Sequence, residues 1–294
     1  MRNILIVAGN GGMAFGEDDV QKLKSGLSSI EEAGEVNVIG DGKKDISLDD
    51  IQSGIENLDG SASTVILFWN HGKVKDGKFY FMSEKGDISS REVYSELSKK
   101  FHNFDIFNTA CESGASLKDL DVLPEGTKVV TLSKEGDATI GGQIERMIDS
   151  LSSYKGEIDS ERLLRFYLVH GTRNRNSVPQ IGISGHDEII DLDALLERKI
   201  GQEFSQERVL EATHWLIDDE EARKYCERFQ NANNEYEFIA VEYGKAMAIA
   251  LSEQFGKEVN RENIQDIRKT TKDWSDYWPD SGDQRTSDHK TFKF

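Results

Sequence analysis

Cysteine is scarce in this chain: its 294 residues contain two, Cys111 and Cys226. Two thiols make no disulfide framework, and with no CxxC pair they make no finger-type zinc site. A reducing compartment suits free thiols of this kind. Long apolar runs are missing as well. The longest, Val65 to Trp69, is strand-sized, far below the about 18 residues of a membrane span. The opening run Ile4-Leu5-Ile6-Val7 is too short for a signal-peptide core, and no small-residue cleavage pattern follows it. It reads as a first strand without a leader. The expected location is the cytoplasm, or outside the cell by way of a dedicated secretion system. Basic charge is outweighed, with 36 Lys and Arg against 54 Asp and Glu and a net charge of −18. Such a surface repels phosphate backbones and aids solubility, so neither nucleic acid nor a membrane is an expected partner. His102, His186, His214 and His289 have no metal-ligand spacing, and no metal or cofactor is expected.

What is present is an alternation of strand and helix signals. Asn3–Ala8, Glu35–Ile39, Thr64–Trp69, Phe104–Asn108 and Lys128–Leu132 read as strands, the first and third apolar almost throughout. Between them lie helical patterns: Val20–Ile30, a segment capped by Ser47 or Asp49, one started by Ser89 or Ser90, and Gly141–Leu151. Lys78–Met82 follows an Asp76-Gly77 turn signal and reads as an inserted hairpin. The order predicts an α/β fold, a mostly parallel sheet flanked by helices. Ser160–His170 reads as a further helix and Ser177–Ser184 as a further strand. From about Leu192 the pattern is nearly all helical, ending in a polar tail after Thr271 expected to be loose. The domains are therefore set at 1–195 and 196–294. No solenoid repeat is present.

In a parallel sheet, active residues gather at the carboxyl ends of strands. Three such ends here carry unusual chemistry: Gly9 to Gly12, Asn70-His71-Gly72 and Ala110-Cys111-Glu112. Thiolate attack on a carbonyl needs an ionisable thiol, a group that moves protons and donors for the oxyanion. Cys111 and His71 supply the first two. Gly72 leaves its N–H open to a ligand, and Ala110, Ser113 and Gly114 leave room for a backbone to approach.

The pairing of a hydrophobic strand with His71-Gly72 and another with Ala110-Cys111 resembles the caspase–haemoglobinase group of cysteine peptidases. Thr109-Ala110-Cys111-Glu112-Ser113-Gly114 is similar to the blocks of legumain-like and CHAT-domain members. The hairpin Asp76–Met82 and the helix Ser89–Leu97 between His71 and Cys111 resemble CHAT organisation. Val7-Ala8-Gly9 with its glycine-rich turn resembles the start of legumain. The likeness covers roughly 3–150 and is extended to about 195. It implies a caspase-like sheet, a protein or peptide substrate, His71 as proton-transfer residue and Cys111 as nucleophile. It also implies an oxyanion hole from the N–H groups of Gly72 and Cys111. Asn70, Glu112, Ser133, Glu135, Asp137 and Glu17 are the expected substrate-binding residues. Glu135, Asp137 and Glu17 suggest an acidic pocket for Lys or Arg. Where legumain carries an Asn-Tyr-Arg run that orients its histidine, this chain reads Phe15-Gly16-Glu17, and Asn10 is the nearest substitute. The helices of 196–294 are a candidate surface for a regulatory protein partner.

Other readings compete. A strand-end cysteine is more often a core residue, and the same fold without activity would serve as a scaffold. His170-Gly171 repeats the His-Gly dipeptide, but its preceding run reads as a helix stopped by glycine. Cys226 reads as a helix residue packed in or beside a core. Gly9-Asn10-Gly11-Gly12-Met13-Ala14 matches a dinucleotide fingerprint, with Asp41 as the acid at the end of the second strand. That motif needs a helix opening within the glycines, whereas the helical pattern begins near Glu17.

Overall fold

A computed structural model of the chain describes residues 1–10, 17–137, 139, 147–149, 151, 154, 156, 158–170 and 179–191. These fall within one compact unit, Met1–Leu192. Residues 196–294, Cys226 among them, lie outside the described residues, as does the second half of the glycine turn.

The fold is α/β. Seven strands form one sheet in the order β10-β9-β8-β7-β3-β1-β2. The parallel strands are β1 (Arg2–Ala8), β2 (Ala33–Ile39), β3 (Thr64–Trp69), β7 (Phe104–Asn108) and β8 (Lys128–Thr131). Antiparallel to β8 runs β9 (Gln180–Ile183), and β10 (Ile190–Asp191) pairs antiparallel to β9. A second, three-stranded sheet comprises β4 (Gly72–Lys75), β5 (Lys78–Phe81) and β6 (Ile88–Ser89), all antiparallel. It is inserted between β3 and β7, where the sequence placed a hairpin.

β1 and β3 are apolar at consecutive positions because both faces of the sheet are covered. Side chains alternate between faces. Leu5, Val7, Ile66, Phe68 and Ile106 share one buried cluster with Ile51 and Ile55 of α2 (Leu48–Glu56) and Val93, Tyr94 and Leu97 of α3 (Ser90–Lys100). The intervening Ile4, Ile6, Val65, Leu67 and Phe107 are equally buried, as are Val20, Leu23 and Leu27 of α1 (Glu17–Ser28) and Leu163, Leu164 and Tyr167 of α4 (Ser160–His170). Each such side chain stabilises the fold by about 1.5–3 kcal/mol through burial. Helices α2 and α3 both start with capping boxes. Ser47 and Ser89 cap, and Asp50 and Glu92 answer from the third position. No helix among the described residues is long and apolar enough to cross a membrane.

Candidate active site

The site is built by two neighbouring strands. β3 and β7 are paired in parallel, with Phe68 opposite Asn108. His71 lies three residues past Phe68 and Cys111 three past Asn108, so the two leave the sheet level with each other. The strand adjacency that brings the two residues to one edge is thus present. Thr109 extends it: its N–H and its hydroxyl both donate to the Phe68 carbonyl, at 3.2 and 2.7 Å.

Each strand closes on a buried asparagine. The Asn70 amide oxygen accepts the His71 N–H at 2.8 Å, and the Asn108 amide oxygen accepts the Ala110 N–H at 3.1 Å. These short-range bonds turn the chain out of the ladder without leaving its donors unpaired. Asn70 is 2% exposed. This differs from the expectation that it contacts substrate: its side chain shapes the backbone beside His71. Sequence reasoning missed the matching role of Asn108, although an asparagine at the end of each strand was a visible signal.

Past Cys111 the chain makes a sharp turn. Glu112 adopts a left-handed conformation, φ 56° and ψ 16°, and a kinked 3-10 helical segment, Ser113–Val122, follows. A non-glycine residue held there costs of order 1–3 kcal/mol and persists only when its surroundings fix it. They do. The Glu112 N–H donates to the Asp137 carbonyl at 2.8 Å, and its carboxylate accepts the Val74 N–H of β4 at 2.8 Å. Gly114 donates to the Ser133 carbonyl at 2.8 Å, and a Cβ on Gly114 would lie 2.9 Å from that oxygen. Only glycine permits this approach.

The loop after β8 wraps the same turn. Ser133 is fully buried; its hydroxyl donates to the Ala110 carbonyl at 3.1 Å and accepts the Ser113 N–H at 3.2 Å. Ser133 therefore supports the Cys111 turn from beneath and does not face a substrate as expected. Glu135 is exposed and ion-paired with Lys118 at 2.6 Å. Asp137 is half-buried. Glu17 opens α1, and its side chain lies outside the described residues. Thr139, which the sequence did not single out, donates its hydroxyl to the Ala110 carbonyl at 3.2 Å and offers its own carbonyl 3.7 Å from the Cys111 Sγ.

His71 and Cys111 are both half-buried. Burial holds the His71 imidazole below its ordinary value, so it is neutral near pH 7 and able to accept a proton. Gly72 packs directly on the Cys111 peptide: a Cβ there would meet the Cys111 carbonyl oxygen at 2.6 Å. The Met82 N–H donates to the His71 carbonyl, so His71 and Met82 form a hydrogen-bonded pair of the antiparallel ladder. Such pairs alternate. Gly72, opposite Phe81, therefore turns its N–H away from β5, as Val74 does. The Val74 N–H goes to Glu112. Among the described residues no acceptor takes the N–H of Cys111 either.

Three expectations concern the surroundings. Asn10 donates its amide to the Lys43 carbonyl at 2.7 Å, which ties the β1 turn to the loop after β2. That bond commits its donor elsewhere than the imidazole. Asp41 accepts the N–H groups of Lys43 and Lys44, both at 2.9 Å, so its carboxylate serves its own loop. α1 is described from Glu17 onward, and residues 11–16 lie outside the described residues. The Asp41 bonds weigh against a dinucleotide site. His170 is the last described residue of α4, and Gly171, on which the helix-stop reading rests, lies outside the described residues. No cluster of potential metal ligands occurs among the described residues.

The fold class is thus a mostly parallel α/β sheet with helices on both faces and a small antiparallel sheet inserted beside His71. No family model matches the chain, and no curated protein matches it. Among solved structures, the crystal structure of protein GSU0716 from Geobacter sulfurreducens is similar, with a TM-score of 0.44 and 13% identity over 64% of this chain and 95% of that one. A likeness at this level carries no argument about family or activity.

Proposed function

We propose that this chain is a cysteine endopeptidase of the caspase–haemoglobinase type, acting through a His71/Cys111 dyad and a thioester acyl-enzyme. One observation carries the reading. The His71-Gly72 and Cys111 turns leave adjacent parallel strands at one level, with Gly72 packed on the Cys111 peptide. The inserted three-stranded sheet followed by α3, between the two residues, also supports it.

In this mechanism the thiol of Cys111 gives its proton to neutral His71 and attacks the scissile carbonyl. A carbon–sulfur bond forms, and the carbonyl electron pair moves onto oxygen. The N–H groups of Gly72 and Cys111 hold that oxyanion. Collapse expels the amine, which takes the proton from His71. Water then hydrolyses the thioester and regenerates the thiol. Removing either side chain is expected to cost orders of magnitude in rate, since such groups act as a unit.

The test is mass spectrometry of a cell-lysate proteome incubated with wild type and with Cys111→Ala. New peptide ends that vanish in the variant support a peptidase. Identical peptide sets from both proteins overturn it and leave an inactive scaffold of the same fold. The Asn10 and Asp41 bonds described above favour no nicotinamide dinucleotide, and binding of NADH detected by fluorescence would reverse that preference.

A further inference from the structure

We infer that Glu112 is a positioning residue that sets the spacing of the two oxyanion donors, an inference resting on the peptidase reading above. The two N–H groups belong to different parts of the fold. That of Gly72 lies on β4, in the inserted sheet; that of Cys111 lies in the turn after β7, in the main sheet. An oxyanion hole works when both donors sit about 3 Å from one point, and a shift near 1 Å is costly. Something must fix one sheet against the other at this place.

Glu112 does so by two bonds and one conformation. Its carboxylate accepts the N–H of Val74, two residues along β4 from Gly72. By the alternation of the ladder, the Val74 and Gly72 N–H groups project from the same edge of β4. The carboxylate therefore caps the donor next in line to the one that would hold the oxyanion. Its own N–H is anchored to the Asp137 carbonyl, and its left-handed backbone aims the preceding peptide, the one bearing the Cys111 carbonyl, at Gly72. Glutamate is a poor choice for φ of 56° on backbone grounds, where glycine or asparagine is favoured. Its presence there is explained by the side chain, which glycine lacks. One oxygen of the carboxylate expected to bind substrate thus holds β4.

The experiment uses the full chain and p-nitrophenyl acetate as acyl donor. Attack by the Cys111 thiolate forms the acetyl thioester through an oxyanion and releases p-nitrophenolate, while His71 takes the thiol proton. Site-resolved mass spectrometry confirms acetylation at Cys111. Iodoacetamide alkylates the same thiol by displacement at a saturated carbon, with no oxyanion. The variants are Glu112→Gly, which removes the carboxylate and relieves the backbone, and Glu112→Gln, whose amide oxygen still accepts from Val74. Glu112→Gly is expected to lose about 10²-fold in maximal acylation rate, the size of losing one oxyanion donor. Its half-saturating ester concentration and its alkylation rate should stay within about threefold of wild type. Glu112→Gln should recover most of the acylation rate. If Glu112→Gly acylates as fast as wild type, the inference fails and the peptidase reading stands. If acylation and alkylation fall together, Glu112 merely supports the fold, and the inference again fails. If wild-type Cys111 acylates no faster than a free small thiol, the peptidase reading falls and takes this inference with it.

Discussion

Replacing Gly72 by alanine adds one carbon at the closest approach of the two turns. That carbon would lie 2.6 Å from the Cys111 carbonyl oxygen and 2.6 Å from Cε2 and Cζ of Phe79, where ordinary contact begins near 3.4 Å. The neighbours must therefore give by about 0.8 Å. Phe79 has little freedom: it is fully buried and set edge-on to Phe81 at 5.0 Å, and Phe81 stacks on Phe68 of β3 at 4.5 Å. The other obstacle is backbone. So the Gly72 and Cys111 turns must move apart. Overpacking of this kind costs about 1–3 kcal/mol. Against it, alanine restricts the unfolded chain and returns about 0.4–1 kcal/mol, since Gly72 has no positive φ to forbid it. The net loss expected is about 1–2 kcal/mol, read as a lower urea midpoint at unchanged slope. Acyl transfer should suffer more. A displacement near 1 Å at a reacting centre is worth about 10²-fold, so Gly72→Ala should acylate that much more slowly than wild type while remaining folded. Wild-type stability would show that the two turns do not touch as described. A stability loss with wild-type acylation would remove Gly72 from the oxyanion hole.

His71→Gln should flatten the pH dependence of stability. The folded imidazole lies below its ordinary 6.5. As pH falls through the interval under 6.5, the unfolded chain therefore binds a proton that the fold refuses, and stability declines. Above 6.5 the difference disappears. Urea midpoints on either side of this interval, compared between wild type and variant, read the effect; equal slopes in both proteins would refute it. Asn108→Ala should cost about 1–3 kcal/mol, because the Ala110 N–H loses its buried acceptor. A calorimetric midpoint unchanged from wild type would refute that. In a positional-scanning peptide library, cleavage should favour Lys or Arg before the cut, with Asp137 as the acidic contact, since Glu135 is neutralised by Lys118. Preference for an acidic residue there would sink the pocket.

The sheet was legible in the sequence wherever local pattern and tertiary context agree. Thr64–Trp69 and Phe104–Asn108 are legible to the residue because each is a strand-length segment built around buried apolar side chains and bounded by polar turns. The sequence offers two candidates for each start, Ser47 or Asp49 for α2 and Ser89 or Ser90 for α3, and the capping boxes select Ser47 and Ser89. The 3-10 segment Ser113–Val122 was not foreseen, since its apolar spacing follows neither helix nor strand and its first turn is held by Ser133 and Asp137 from elsewhere in the chain. β6 and β10 are two residues each, too short for any periodicity, and exist because β5 and β9 present open edges.

The site divides along the same line, and the division bears on what each residue does. His71, Gly72 and Cys111 could be named because strand ends in a parallel sheet are chemically privileged before any contact is known. Ser133 and Glu112 stand near those ends as well, but their work is not legible in the sequence, because it depends on partners far along the chain. Glu112 meets Val74, 38 residues away, and Ser133 meets Ala110, 23 residues away. In each case a polar side chain expected to greet a substrate is spent on a backbone group that the turns would otherwise leave unpaired. Burial requires this: a polar atom removed from water without a partner costs about 1–3 kcal/mol. Beside these side chains lie two N–H groups, of Gly72 and Cys111, that by the ladder alternation and the hydrogen-bond pattern meet no acceptor among the described residues. Two open donors on facing turns are what a site for transient negative charge requires, and they are the strongest physical reason to look for acyl chemistry at Cys111.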